Sequence, residues 1–227
     1  MIHVEGETEE TFVNAVLAPH LCARGYETAG VRLVGNARLR HRRGGIRAWA
    51  SVRTHVARHL REDTGAVATT MVDYYALPRT GDKAWPGRDR AATLPFESKA
   101  IAVEEALQAD LAAFIGANHN PRRFMPFVMM HEFEGLLFSD CGAFSRGIHR
   151  PDLQPSFQAI RDEFATPEEI DDSPDKAPSK RVLALIPNYE KPLLGTLAVL
   201  EIGLDTIRNE CPHFNDWLTL LERVARS

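Results

Sequence analysis

Ala66-Val67-Ala68-Thr69-Thr70-Met71-Val72-Asp73 carries no charge before its last residue. A run this apolar and β-branched, and this short, predicts a strand covered on both faces, the kind found in parallel sheets. The flanking segments fit that reading. Upstream, Gly44-Gly45 opens a stretch with Ile46, Trp49, Val52, Val56 and Leu60 at helical spacing. Downstream, Glu97 to Ile115 repeats the pattern, with Ile101, Leu107, Leu111 and Phe114 on one side. Ile2-His3-Val4, Val31 to Val34 and Phe124 to Met130 read as further strands. The first two are separated by a helix that Thr8 caps, that turns Phe12, Val16 and Leu17 inward, and that Pro19 kinks or ends.

Strands alternating with helices, then helices alone, predict an α/β three-layer sandwich with a largely parallel central sheet and a helical C-terminal cap. Residues 1–140 form the α/β core in this reading. Residues 141–227 form a mainly helical extension packed on it, the two making one structural unit. The extension is expected to hold helices over about 153–164, 179–185, 193–208 and 214–226. Ala76 to Pro95, with three prolines and two glycines, reads as a long surface loop.

The 227 residues are 44% hydrophobic, which excludes a disordered chain. No window reaches the roughly 18–20 apolar residues of a membrane span. The first ten residues hold four glutamates and no Lys or Arg, the wrong charge for a signal peptide. Cys22, Cys141 and Cys211 lie far apart, so neither a disulfide framework nor a zinc ribbon is indicated. These features predict a soluble cytoplasmic protein with no membrane association. The formal net charge of −4 hides an asymmetry: between Glu27 and Glu62 stand nine arginines and no acid. Arg38, Arg40, Arg42, Arg43, Arg47, Arg58 and Arg61 are the expected contacts to a nucleic-acid backbone, held without reading sequence. A solvated helix face or an acidic protein partner is the competing explanation.

Three of the expected strands end on acids: Val4 runs into Glu5, Val72 into Asp73, and Met130 into Glu132 and Glu134. In an open α/β sheet, ligands bind beyond the carboxyl ends of the strands. Glu9, one helical turn after Glu5, leans into the same space. Two carboxylates about 5 Å apart repel by roughly 3 kcal/mol at an effective dielectric near 20, so such a cluster either takes up protons or binds a cation. Hard oxygen donors without a Cys pair favour Mg²⁺ or Mn²⁺ over zinc, and His131 would shift the preference toward Mn²⁺. Taken singly, each acid is as readily a turn, a cap or an exposed residue; it is their recurrence at strand ends that points to a metal site. Pro178-Ser179-Lys180-Arg181, ahead of a helix, offers a second place to hold negative charge, with solvation or pairing to the preceding acids as the alternative. Lys191 is a weaker candidate. Tyr74, Tyr75 and Trp49 read as core. No Gly-rich Walker loop or GxGxxG is present, so NTP hydrolysis by this chain is not expected.

Val4-Glu5-Gly6-Glu7-Thr8-Glu9 resembles the first motif of Toprim-like domains, in the form found in nucleases of the overcoming-lysogenization-defect type. Three further landmarks are Thr70-Met71-Val72-Asp73-Tyr74-Tyr75-Ala76-Leu77-Pro78, His131-Glu132-Phe133-Glu134-Gly135-Leu136-Leu137-Phe138 and Ala177-Pro178-Ser179-Lys180-Arg181. With these, and on to Cys211-Pro212 and Trp217, nearly the whole chain is similar to a Toprim-related bacterial family, the domain of unknown function numbered 4276. The resemblance implies a Toprim-like fold acting on phosphodiesters with a divalent metal. Glu5 and Glu9 match the acids of the first motif, Asp73 the first Asp of Asp-x-Asp, Glu134 the glutamate after the next strand, and Lys180 the late basic residue. The second Asp is replaced by Tyr75, so a second metal is either missing or held by Glu132. An AAA- or ABC-type ATPase partner, encoded nearby in a phage-defence locus, is also implied.

The expectation is therefore a Mg²⁺- or Mn²⁺-dependent nuclease, cutting DNA or RNA. Glu5, Asp73 and Lys180 would act in catalysis, and Glu5, Glu9, Asp73, Glu132 and Glu134 would hold metal. The alternative is a non-catalytic or regulatory Toprim-like subunit that binds an ATPase. Either reading accommodates a homo-oligomer.

Overall fold

The apolar run around Val72 is the middle of a parallel sheet. In the computed structural model, β1 (Ile2–Val4) lies between β2 (Val31–Leu33) and β3 (Ala68–Asp73), and β3 pairs on its far side with β4 (Phe124–Met125) and β5 (Val128–Met129). Every pairing is parallel. The structure describes residues 1–34, 46–117, 119–170, 173 and 176–225. The expected strand Phe124 to Met130 is present as two pieces in one register, Ala68 opposite Phe124 and Asp73 opposite Met129. Pro126 interrupts it because it has no N–H to give. Thr70 spans the break: its hydroxyl accepts from Phe127 N at 3.0 Å and donates to Phe127 O at 3.0 Å.

Alternate side chains of the sheet serve two cores. Met71, Met125, Phe127 and Met129 point to one, Ala68, Val72, Phe124 and Val128 to the other. Over the first face run α1 (Glu7–Phe12), a π turn (Val13–Leu17) and α2 (Ala18–Ala23). Thr8 is not the cap. Gly6 holds that position, and its N–H donates to Glu9 Oε2 at 3.0 Å. Pro19 does not end the helix: the π turn, with Ala18 N–H on Val13 O, absorbs the missing donor and the chain stays helical to Ala23.

Over the second face lie α3 (Trp49–Glu62), α4 (Arg88–Ala91) and α5 (Phe96–Ile115). Trp49, Val52, Val56 and Leu60 are buried as their spacing requires. The helix starts at Trp49, so Arg47 precedes it; Gly44-Gly45, with Arg38, Arg40, Arg42 and Arg43, lies outside the described residues. The segment from Ala76 to Pro95 is not a surface loop. Trp85 is buried and donates to Arg47 O at 3.0 Å, and the buried Arg88 lies 3.7 Å over the Tyr74 ring. Gly87, at φ 76°, lies so close to α5 that a Cβ would sit 2.6 Å from Ala102 O.

The remaining helices are α6 (Cys141–Gly147), α7 (Gln154–Arg161), α8 (Pro178–Leu185), α9 (Lys191–Ile202), α10 (Leu204–Glu210) and α11 (Pro212–Val224). The single helix expected over 193–208 is broken at Gly203, whose φ is 80°, and α6 has no counterpart in the sequence reading. These helices complete the first core. Phe144, Phe157, Phe214 and Trp217 share one apolar cluster with Phe12 and Met71, and Trp217 Nε1 donates to Thr69 Oγ1 on the central strand at 2.9 Å. Residues before and after 140 thus pack into one body. Among the described residues, no helix is long and apolar enough to cross a membrane.

Candidate functional site

The chain leaves β1 over one sheet face through α1 and α2, and leaves the neighbouring β3 over the other through α4 and α5. The connections at the carboxyl ends of β1 and β3 therefore part in opposite directions and leave a crevice, the position where open α/β sheets bind ligands. Acids line it. Glu5 follows the last residue of β1, and Asp73 is the last residue of β3. Glu9 sits in the first turn of α1. Glu132 and Glu134 follow β5, Glu134 inside the 3₁₀ segment Phe133–Ser139. Glu9 and Glu134 are buried, whereas Glu5, Asp73 and Glu132 are half-buried. The crevice thus has a wet rim over a dry floor.

Each acid is tethered locally. Glu9 accepts from Gly6 N–H at 3.0 Å, Asp73 Oδ1 from Phe133 N–H at 3.1 Å, and Glu132 Oε2 from Ser179 N–H at 3.0 Å. The Asp73 amide helps hold Glu5 down, yet Glu5 Oε2 is buried without a hydrogen-bond partner. Glu134 meets Lys191 Nζ at 2.9 Å. Lys191 stands at the start of α9, after the loop that follows α8, which brings one ammonium to the acids.

Burial and neighbouring negative charge push Glu5, Glu9, Asp73 and Glu134 toward protonation. Loss of hydration, then the charge on Glu9, raises Glu5 to about 7. Asp73 is raised well above its ordinary value by burial and by Glu9, Glu5, Glu134 and Glu132 in turn. Burial raises Glu9 against the Gly6 amide, and it raises Glu134 against Lys191. Lys191 itself is raised: the attraction of Glu134, Asp73 and Glu132 outweighs its own desolvation. Acids from three separate chain segments therefore share one electrostatic site.

A family model described as Domain of unknown function (DUF4276) matches residues 4–222. The chain belongs to this family. No curated protein matches it, and no solved structure does. The matched span contains all five acids and Lys191, so the acidic crevice lies within the DUF4276 domain.

Other anticipated residues of this DUF4276 chain fall elsewhere. Lys180 is exposed in the first turn of α8, one residue beyond the amide that binds Glu132. The cation paired with an acid is instead Lys191, which sequence spacing ranked lower; its Glu190-Lys191-Pro192 setting at a helix start was the available signal. Tyr75, at the second Asp-x-Asp position, stacks on the buried His131 with ring centroids 5.2 Å apart, so it serves packing. Arg58 and Arg61 are remote from the acids. Because α3 runs back against the strands, its last turns lie beside the amino ends of the sheet, where Arg123 bonds Leu60 O at 2.8 Å and Ala66 O at 2.8 Å. Arg58 there approaches Glu62 to 3.9 Å. Arg47 precedes α3, where its N–H donates to Val34 O at 3.2 Å.

Among the described residues, no three His, Cys, Asp or Glu side chains are arranged to hold a metal ion as they stand. Their oxygens are turned to amides and to Lys191. In donor chemistry the site fits a hard divalent cation: the ligands are all carboxylates, and Glu5 Oε2 is buried with no hydrogen-bond partner.

Proposed function

We propose that this chain is a divalent-cation-dependent nuclease that hydrolyses phosphodiester bonds in DNA or RNA, acting in the cytoplasm beside a partner ATPase in bacterial phage defence. One observation carries the reading. Glu5, Glu9, Asp73 and Glu134, at the crevice between β1 and β3, are pushed toward protonation by burial and by the charges of the neighbouring acids, Glu132 among them, while Lys191 opposes this. Glu5, Asp73 and Glu132 at the rim, with Glu9 and Glu134 beneath, would hold Mg²⁺ or Mn²⁺. A bound cation of this class supplies Lewis acidity and lowers the pKa of a coordinated water. The chain's own residues then have distinct tasks. Glu5 and Asp73 orient the attacking water. Lys191, half-exposed beside Glu134, takes a non-bridging phosphate oxygen, and Lys180 next to the α8 amide takes a neighbouring phosphate.

The test is plasmid nicking and tRNA cleavage with Mn²⁺, with and without a co-encoded ATPase. Glu5→Gln and Asp73→Asn are both expected to abolish cutting, and undiminished cutting in either rejects the assignment. A second reading, a non-catalytic Toprim-like subunit that binds an ATPase, draws on Tyr75 in place of the second acid and on Leu193, Leu197 and Leu200, an exposed apolar stripe along α9. A stable ATPase complex without heat on Mn²⁺ titration would favour it.

A further inference from the structure

The opposite edge of the sheet holds a separate feature. Between the end of α3 and the segment joining α5 to β4 lies a cleft of about 370 Å³, whose lining includes Leu60, Arg61, Thr64, Ile115, His119 and Arg123. No carboxylate lines it among the described residues. Its volume falls within the range of small-molecule pockets, roughly 300–1,000 Å³.

Arg123 is the fixed point. Its Nε and Nη2 donate to the carbonyls of Ala66, Leu60 and Asp63, which clamp the α3–β3 turn to the start of β4. Those bonds hold the guanidinium in place but leave its charge unneutralised, and among the described residues its Nη1 makes no hydrogen bond. Arg61 makes one long bond, 3.4 Å to Phe114 O, lies 5.7 Å from the centroid of the same Phe114 ring, and is exposed to solvent. The acids next along the chain face elsewhere: Glu62 toward Arg58, and Asp63 Oδ1 onto Gly65 N–H at 2.8 Å. The positive field reaches neighbouring imidazoles. His119 is lowered by burial and then by Arg123, and His59 by burial, the amino terminus, Arg32 and Arg123, against Asp63. Two guanidinium groups, one immobilised by backbone, present the forked donors that suit a phosphate. Leu60 and Ile115 offer an apolar wall beside them, with the His119 ring at its margin.

We infer that this cleft binds a phosphate-bearing small molecule of nucleoside monophosphate size, with its phosphate on Arg61 and Arg123 and its base against Leu60, Ile115 and His119. The inference does not rest on the nuclease reading, because the cleft and the acidic crevice lie at opposite edges of the sheet.

The test is calorimetric titration of the full chain with adenosine 5′-monophosphate, inorganic phosphate and adenosine. The monophosphate is expected to bind at least about tenfold more tightly than either fragment, each of which satisfies only half of the site. Arg61→Glu, at an exposed position, is expected to weaken the monophosphate at least about tenfold while the unfolding midpoint stays near that of the parent. His119→Ala should weaken the monophosphate and leave inorganic phosphate unchanged. Glu5→Gln should leave all three titrations unchanged, which separates failure here from failure at the acids. No binding up to about 5 mM, unaltered affinity in Arg61→Glu, or equal affinity for phosphate and monophosphate would each overturn the inference.

Discussion

Replacing Glu5 by Gln removes one charge from the crevice without changing the side chain's shape, and the structure sets the size of the effect. Burial and Glu9 raise Glu5 to about 7 in the folded chain, from an ordinary value of 4.5. The gap of about 2.5 pH units, at ~1.4 kcal/mol each, means that ionising Glu5 costs the fold about 3 kcal/mol once the pH exceeds both values. Because the folded-state value is the higher one, the native chain holds the extra proton. Stability therefore falls as pH rises from about 4.5 to 7, and the penalty is complete by pH 8. Glutamine mimics the protonated acid, so Glu5→Gln should be more stable than the parent by up to about 3 kcal/mol at pH 8 and by about 1 kcal/mol at pH 5. Urea unfolding of both proteins at the two pH values, in chelator, measures this. If the crevice takes a divalent cation, Mn²⁺ at a hundred times its dissociation constant adds about 2.7 kcal/mol to the parent and little to the variant, which erases the difference at pH 8. A variant less stable than the parent at pH 8, or a difference that does not change with pH, would refute the account of the crevice as mutually repelling acids.

Lys191→Met leaves Glu134 buried without its ammonium, and should cost about 1–3 kcal/mol at pH 8, less than a fully buried pair because Lys191 is half-exposed. The loss should shrink toward pH 5, where Glu134 can protonate, and Glu134→Gln in the same chain should recover most of it in urea titrations. Thr70→Val deprives both Phe127 N–H and Phe127 O of their partner beside Pro126, and should lower stability by about 2–4 kcal/mol in chemical unfolding. Gly87→Ala forces a Cβ against Ala102 O at a positive φ, and a loss of about 2 kcal/mol or more, seen as an earlier thermal midpoint, is expected.

The parts of this molecule that are legible in its sequence are those governed by short-range pattern. The uncharged run ending at Asp73, the helical spacing of Trp49, Val52, Val56 and Leu60, and the acids at strand ends follow from periodicity and polarity, and all appear where expected. Features that depend on how distant segments meet were harder to read. Lys191 faces Glu134 only because the chain after α8 doubles back to the crevice. Trp85 and Arg88 convert a Pro- and Gly-rich connection into packed structure through contacts to Arg47 and Tyr74 that no local spacing encodes. The arginine block shows the same limit. Its charge density is plain in the sequence, but that Arg58 and Arg61 lie toward the amino ends of the strands follows from the direction of α3, an inference available only once the strands are taken as parallel.

That direction constrains how any polyanion could reach the acids. The six residues of β3 separate the two edges by about 17 Å at some 3.3 Å per residue. At physiological salt the Debye length is about 8 Å, so a charge such as Arg61 adds less than about 0.1 kcal/mol at the crevice. Arg58 and Arg61 therefore do not offset the repulsion among the acids. Within the described residues, Lys191 pairs with Glu134, one cation against five carboxylates. A nucleic acid approaching this crevice meets net repulsion unless the acids are neutralised by protons or by a divalent cation. For the proposed nuclease the cation would thus be required for substrate binding as well as for hydrolysis.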